Sequence, residues 1–389
     1  MKYAKSIITT ILIIWIIGGI AALANTADEQ LVMGENYQYG YSIDINLEEA
    51  YKWYSLSAEQ GNADAQIRVG YFLYAGIGTA QDYSKAFQWF ELAAEQDNAY
   101  AENILGDFYQ YGYGVDVDYE QAFKWYSRSA EKEYSPALNN VGYCYFAGIG
   151  TEQDYAKAFQ WFMLAAEQDS SYAMNLLGDI YQYGYGVEQD LSRAFQWYLL
   201  SAESGNIYGQ ENIGRCYFNG IGVSNNYEEA LQWFMLAAEQ GSAYAQCRLG
   251  DYYIKGIGMQ IDNEEAFSWF LLAAEQNDME GQFKLGECYF LGEGVSQSDE
   301  RGFYWMELSA SQGYVDAQNE LGECYLEGRG VELNTQEAFH WFMLAAEQGS
   351  MEAQLNVASC YIEGLGVEKN NLEALRWLAI AMKQGNGEE

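Results

Sequence analysis

Six acidic residues of this chain fall at one phase of a 36-residue period: Glu35, Asp107, Asp179, Asp251, Glu287 and Glu323. Tyr71, Tyr143, Arg215 and Ser359 interrupt the series. Four residues before this phase stand Asn103, Asn139, Asn175 and Asn319, and three residues after it come Gln38, Gln110 and Gln182. Carboxylates pair with cations, and primary amides both donate and accept, so the set has the chemistry to grip an extended chain by its backbone. On a helix, spacings of four and seven put all three positions on one face. A solvated helix face on any acidic protein would carry similar letters, and that reading stands beside the binding one.

Catalytic constellations are harder to assemble. His340 is the only histidine, so a multi-histidine metal site is excluded, and no nucleophile motif accompanies it. The carboxylates are too numerous for letters alone to single out an acid and a base. Gly-x-Gly occurs in nine of the ten units, from Gly76-Ile77-Gly78 to Gly364-Leu365-Gly366. A phosphate loop follows a strand and opens a helix, whereas these glycines close helices, so they read as interhelix turns. Of six cysteines, Cys144, Cys216, Cys288, Cys324 and Cys360 share one repeat position with Phe72, Phe108, Ile180 and Tyr252. That position is one of packing. Neighbouring copies would lie beyond the ~7 Å that a disulfide spans, so the cysteines read as buried free thiols, with Cys247 in another phase. No cofactor is implied.

The elements that position these residues are set by repetition. Trp53, Trp89, Trp125, Trp161, Trp197, Trp233, Trp269, Trp305, Trp341 and Trp377 are each 36 apart. A glycine keeps the same period from Gly34 to Gly322, with Ala358 as the tenth, and a tyrosine follows three later except at Leu73. An alanine stands early in each second helix, with Gly302 the departure. Each unit reads as two helices, A and B. In the second, Ala65, Val69 and Leu73 form a stripe beside Gly70, Gly76 ends helix A, and Asp82 caps helix B. Tryptophan and tyrosine are expected to fill the seams between pairs. A helix pair cannot bury its apolar face alone, so units must stack and the last must be a cap. Residues 70–114 and 142–186 are close copies, a second period of 72. The fold class is therefore all-α, a solenoid of ten 36-residue helix-pair repeats with about 20 helices.

Charge and the first segment bear on partners and place. Net charge is −37, which disfavours nucleic acid and anionic membrane surfaces and suits a basic partner as well as plain solubility. Lys2 and Lys5, the apolar run Ile7 to Ile20 and Ala22-Leu23-Ala24 form a signal peptide over residues 1–24, with an uncleaved anchor at 7–24 as the competing reading. Residues 25–389 then form a single solenoid domain, periplasmic or secreted.

The unit Leu-Gly-x-x-Tyr-x-x-Gly-x-Gly-Val, plain at Leu105 to Val115, and Ala-Phe-x-Trp-Phe-x-x-Ala-Ala-Glu-x-Gly, plain at Ala338 to Gly349, resembles the Sel-one-like repeats, relatives of the tetratricopeptide repeats. The resemblance covers about residues 26–385. It implies a right-handed α/α superhelix, a scaffold or adaptor rather than an enzyme, and a concave groove lined by the helix A face that carries the acids and amides. Some exported relatives bridge cysteines within each repeat, one of them at the end of helix B. Here that segment typically reads Ala-Ala-Glu-Gln, so neither those bridges nor a penicillin-binding or hydrolytic activity carries over. The expected function is protein or peptide binding through the acidic groove, at Asn103, Asp107, Gln110, Asn139, Asn175, Asp179, Gln182, Asp251, Glu287, Asn319 and Glu323. Loops bearing Tyr41, Tyr111, Tyr113, Tyr183 and Tyr185 are a second candidate surface. An envelope hydrolase and a purely structural spacer are the alternatives.

Overall fold

A computed structural model of the protein describes residues 25–41 and 43–385. The leader expected at 1–24 and the final residues of the polar tail lie outside the described residues. The described chain holds twenty helices in an all-α solenoid of paired repeats, and it divides into two compact units at Gln189 and Asp190. The first unit runs from Ala27–Tyr39 to Ser171–Tyr183, the second from Leu191–Glu203 to Asn371–Gly385.

Helices of 12 or 13 residues, as nearly all of these are, would be marginal alone in water, so most of their ends are capped and one face is buried. Asp82, Asp118, Asp154 and Asp262 each accept a hydrogen bond from the backbone three residues on, at the start of a helix B. The chain's one proline, Pro136, sits in the first turn of Ser135–Ala147, where no intrahelical donor is lost. Helix A ends at a left-handed glycine, as at Gly76 with φ 68°.

The helix A glycine exists because an aromatic ring occupies its side-chain space. A Cβ built on Gly106 would lie 2.3 Å from Tyr126, and one on Gly250 2.3 Å from Phe270. These rings, with Phe90, Phe162, Phe234 and Phe342, are almost fully buried. They follow the tryptophans by one residue, and the tryptophans themselves are only half-buried. The expectation that tryptophan fills the seam therefore needs correcting: the next ring does, and the indole packs at its border. Gly302 also finds its reason here. Its missing Cβ makes room for Phe290, 2.4 Å away, while Met306 stands where other repeats have the ring.

The second glycine of each Gly-x-Gly brings the loop onto the preceding repeat. A Cβ on Gly150 would sit 1.9 Å from the Tyr119 carbonyl oxygen, in the first turn of the previous helix B. That is a packing turn between repeats, as its place after a helix implied.

Candidate functional site

The amides of the helix A face work largely within the protein. Asn103 and Asn319 are buried, and each accepts a 3.0 Å hydrogen bond from an asparagine of the next helix A, Asn140 and Asn356. Asn139 accepts from the Ser170 hydroxyl, which caps the following helix A. Asn175 is buried too, as is Gln182, whose backbone carbonyl accepts from Gln189. A buried amide must bond to something, and in a solenoid the neighbouring repeat is the nearest partner. Asn103, Asn139 and Asn319 are thus rungs between repeats, where the sequence suggested hands for a ligand backbone.

The acids split by environment. Asp107 is half-buried and accepts a 2.8 Å bond from the Tyr126 hydroxyl, which also lies 3.0 Å from Gln110 Oε1. Burial holds its carboxyl above the usual range, the tyrosine bond partly opposing that. Asp251 is buried between two cations of its own helix, Arg248 at 3.3 Å and Lys255 at 3.0 Å. Glu287 pairs with Lys284 at 2.8 Å. Glu323 receives long 3.4 Å bonds from Asn319 and Asn356, and burial, then the nearby Glu352, raises its carboxyl. Asp179 is half-buried in the first unit.

Helix A residues line three cavities, two in the first unit and one in the second. One of about 600 Å³ brings Gln110 and Asn139 together with Asn140, between Tyr111, Tyr143 and Tyr172. Asp107 lines a second, of about 130 Å³, among tyrosines. Asp251 lines a third, of about 280 Å³, in the second unit. The tyrosine loops divide: Tyr113 and Tyr185 stack on Tyr83 and Tyr155, whereas Tyr41, Tyr111 and Tyr183 are exposed. His340 is exposed beside Trp341.

A second ladder escaped the sequence reading. A buried glutamine early in helix A accepts from a glutamine thirty residues later: Gln66 from Gln96, Gln210 from Gln240, Gln246 from Gln276, Gln282 from Gln312 and Gln318 from Gln348, all at 2.8 Å. In one repeat an ion pair replaces the two glutamines. Glu102, with no exposed side-chain surface, pairs with Lys132 and with Arg128 at 2.8 Å. The signal was present as a 36-residue glutamine period, broken at Glu102, Leu138 and Met174, with opposite charges at Glu102 and Lys132.

All six cysteines are buried free thiols. Burial pushes Cys144, Cys288 and Cys324 up to about 12, and Cys216 and Cys360 up to about 11. The thiolate is the reactive form. At pH 8 the native protein should therefore release no chromophore from an aromatic disulfide reagent within minutes, and denatured protein should titrate all six. Rapid native reaction at any of them would contradict the burial.

Comparison with known proteins agrees with this architecture. The Sel1 repeat matches ten times, at residues 30–62, 63–98, 99–134, 135–170, 171–206, 207–242, 243–278, 280–314, 315–350 and 352–386. Among solved structures the chain is similar to c5321, a protective antigen of uropathogenic Escherichia coli strains with an SLR fold. Identity is 31% and the TM-score 0.63, over 96% of this chain and 90% of that one. It is also similar to a Sel1 repeat protein from Oxalobacter formigenes, at 30% identity and TM-score 0.60, over 77% of this chain and 87% of that one. No curated protein matches. Repeats of this kind generally mediate protein–protein interactions and form non-catalytic scaffolds. Ten matched repeats, and a relative 31% identical over 96% of the chain, place the protein in the Sel1 repeat family.

Proposed function

We propose that the protein is an exported adaptor that binds a protein or peptide along the helix A face, with a preference for basic segments. The observation that carries this is the open cavity of about 600 Å³ at Gln110, Asn139 and Asn140, flanked by tyrosines and set in a chain of net charge −37. Tyr111 and Tyr143 are exposed there and supply rigid, amphipathic contact area. A strongly negative surface speeds encounter with a basic partner and makes binding salt-dependent. Export rests on the leader-like residues 1–24.

The test is retention of proteins from envelope and secreted extracts at low and high salt. The wild-type protein is compared with a Gln110→Ala, Asn139→Ala, Tyr143→Ala variant. The expected result is one protein held specifically, released by salt, and held at least tenfold less by the variant. Equal retention by both would move the binding surface elsewhere. Retention by neither would favour the structural spacer.

A further inference from the structure

Two of the cavities are the same place in different repeats. Adding four repeats to Tyr71, Tyr74, Tyr100, Ile104, Asp107 and Tyr113 gives Arg215, Phe218, Tyr244, Arg248, Asp251 and Ile257. Each cavity thus has an aspartate beside a tyrosine ring. In the second unit the chain fills the cation position itself. Arg248 lies 3.3 Å from Asp251 with its guanidinium carbon 5.3 Å from the Tyr244 ring centroid, and Lys255 reaches the other carboxylate oxygen at 3.0 Å.

In the first unit both cations are missing. Ile104 stands for the arginine and Tyr111 for the lysine. Asp107 keeps only the Tyr126 hydroxyl, and no lysine or arginine pairs with it among the described residues. Arg68, on the preceding helix A, bonds the Tyr39 hydroxyl and acts on Tyr100. The walls stay accessible, with Tyr71 45% and Tyr100 37% exposed. A carboxylate with aromatic faces beside it is a receptor for an ammonium or guanidinium group, through a charge-assisted hydrogen bond and cation–π contact.

We propose that the Asp107 cavity takes the cationic end of an arginine or lysine side chain from a protein partner, with Asp107 as counter-ion and Tyr100 as the stacking ring. This rests on the adaptor reading and names the group which that reading leaves open. Arg248 shows in the same chain how the occupant sits. The 72-residue duplication repeats the set at Tyr143, Tyr172, Asp179 and Tyr185.

Ile104 lines the Asp107 cavity, so its methyl resonance reports from this copy alone. The purified protein is titrated with N-acetyl-arginine amide, N-acetyl-lysine amide and the neutral N-acetyl-citrulline amide. The arginine and lysine probes should move the Ile104 methyl saturably, citrulline at least tenfold more weakly. Asp107→Asn should abolish the shift, its melting temperature checked alongside. Tyr111→Lys, at an exposed position, supplies the competing cation that Lys255 supplies in the second unit. It should weaken the arginine probe at least fivefold without touching the core. Equal shifts with arginine and citrulline, or wild-type affinity in Tyr111→Lys, would overturn the assignment. If the probes leave Ile104 unmoved while a protein is still captured, the cavity fails and the adaptor stands. If the probes bind as expected and nothing is captured, the adaptor fails and the cavity stands.

Discussion

Gly150→Ala should destabilise the protein by about 3 kcal/mol or more, while Gly241→Ala, also at positive φ, should cost no more than about 2 kcal/mol. The left-handed backbone contributes about 1–2 kcal/mol in either case. Beyond that the two sites differ. A Cβ on Gly150 would overlap the Tyr119 carbonyl oxygen at 1.9 Å, which is backbone and cannot rotate away, whereas a Cβ on Gly241 meets nothing within 4 Å. Overpacking of this kind adds roughly 1–3 kcal/mol. The chain itself performs the control, since the position of Gly241 is held in other repeats by Asp97, Glu133, Asp169 and Asn277, all at positive φ between 59° and 68°. Urea denaturation of the two variants decides the matter. Equal losses would mean that φ alone sets the cost and that the contact between repeats is slack.

Lys132→Gln is expected to cost about 3 kcal/mol, the low end for uncoupling a buried ion pair, because Arg128 still reaches Glu102. Adding Glu102→Gln should restore most of it. The double variant rebuilds the glutamine pair that Gln66–Gln96 and Gln246–Gln276 make at 2.8 Å. Removing both charges of a buried ion pair together leaves no uncompensated charge behind, and the glutamines bond each other as they do in the other repeats. Chemical denaturation of wild type, both single variants and the double gives the coupling directly. If the double loses as much as the sum of the singles, residues 102 and 132 do not act as a pair.

The repeat, its helix pairs and their turns were legible because they rest on local rules acting ten times over. Gly76 caps helix A and Asp82 caps helix B where the letters said they would. What letters could not rank was burial. Trp53 through Trp377 dominated the pattern, yet the ring after each carries the packing in most repeats, because only contact geometry shows which of two adjacent aromatics points between helices. The same limit applied to the site. Asn103, Asp107 and Gln110 share a helix face as their spacing required, but spacing says nothing of neighbours 16 to 37 residues away, such as Tyr126 and Asn140. Those neighbours turn the asparagine into a strut and leave Asp107 at a cavity wall. The third phase, the glutamines at 66, 210, 246, 282 and 318, was as periodic as the acids. It went unread because an amide does not advertise burial.

The loop glycines also bear on how the chain assembles. Gly78 lies against Leu47, Gly150 against Tyr119, Gly294 against Asn263 and Gly366 against Thr335, always some thirty residues back. Each newly made repeat thus finds its template already finished upstream, and no contact of this kind waits for residues still to come. Such a chain has short-range topology and should order quickly from its amino end. A polypeptide made in that direction would fold like a zip being drawn, one repeat at a time.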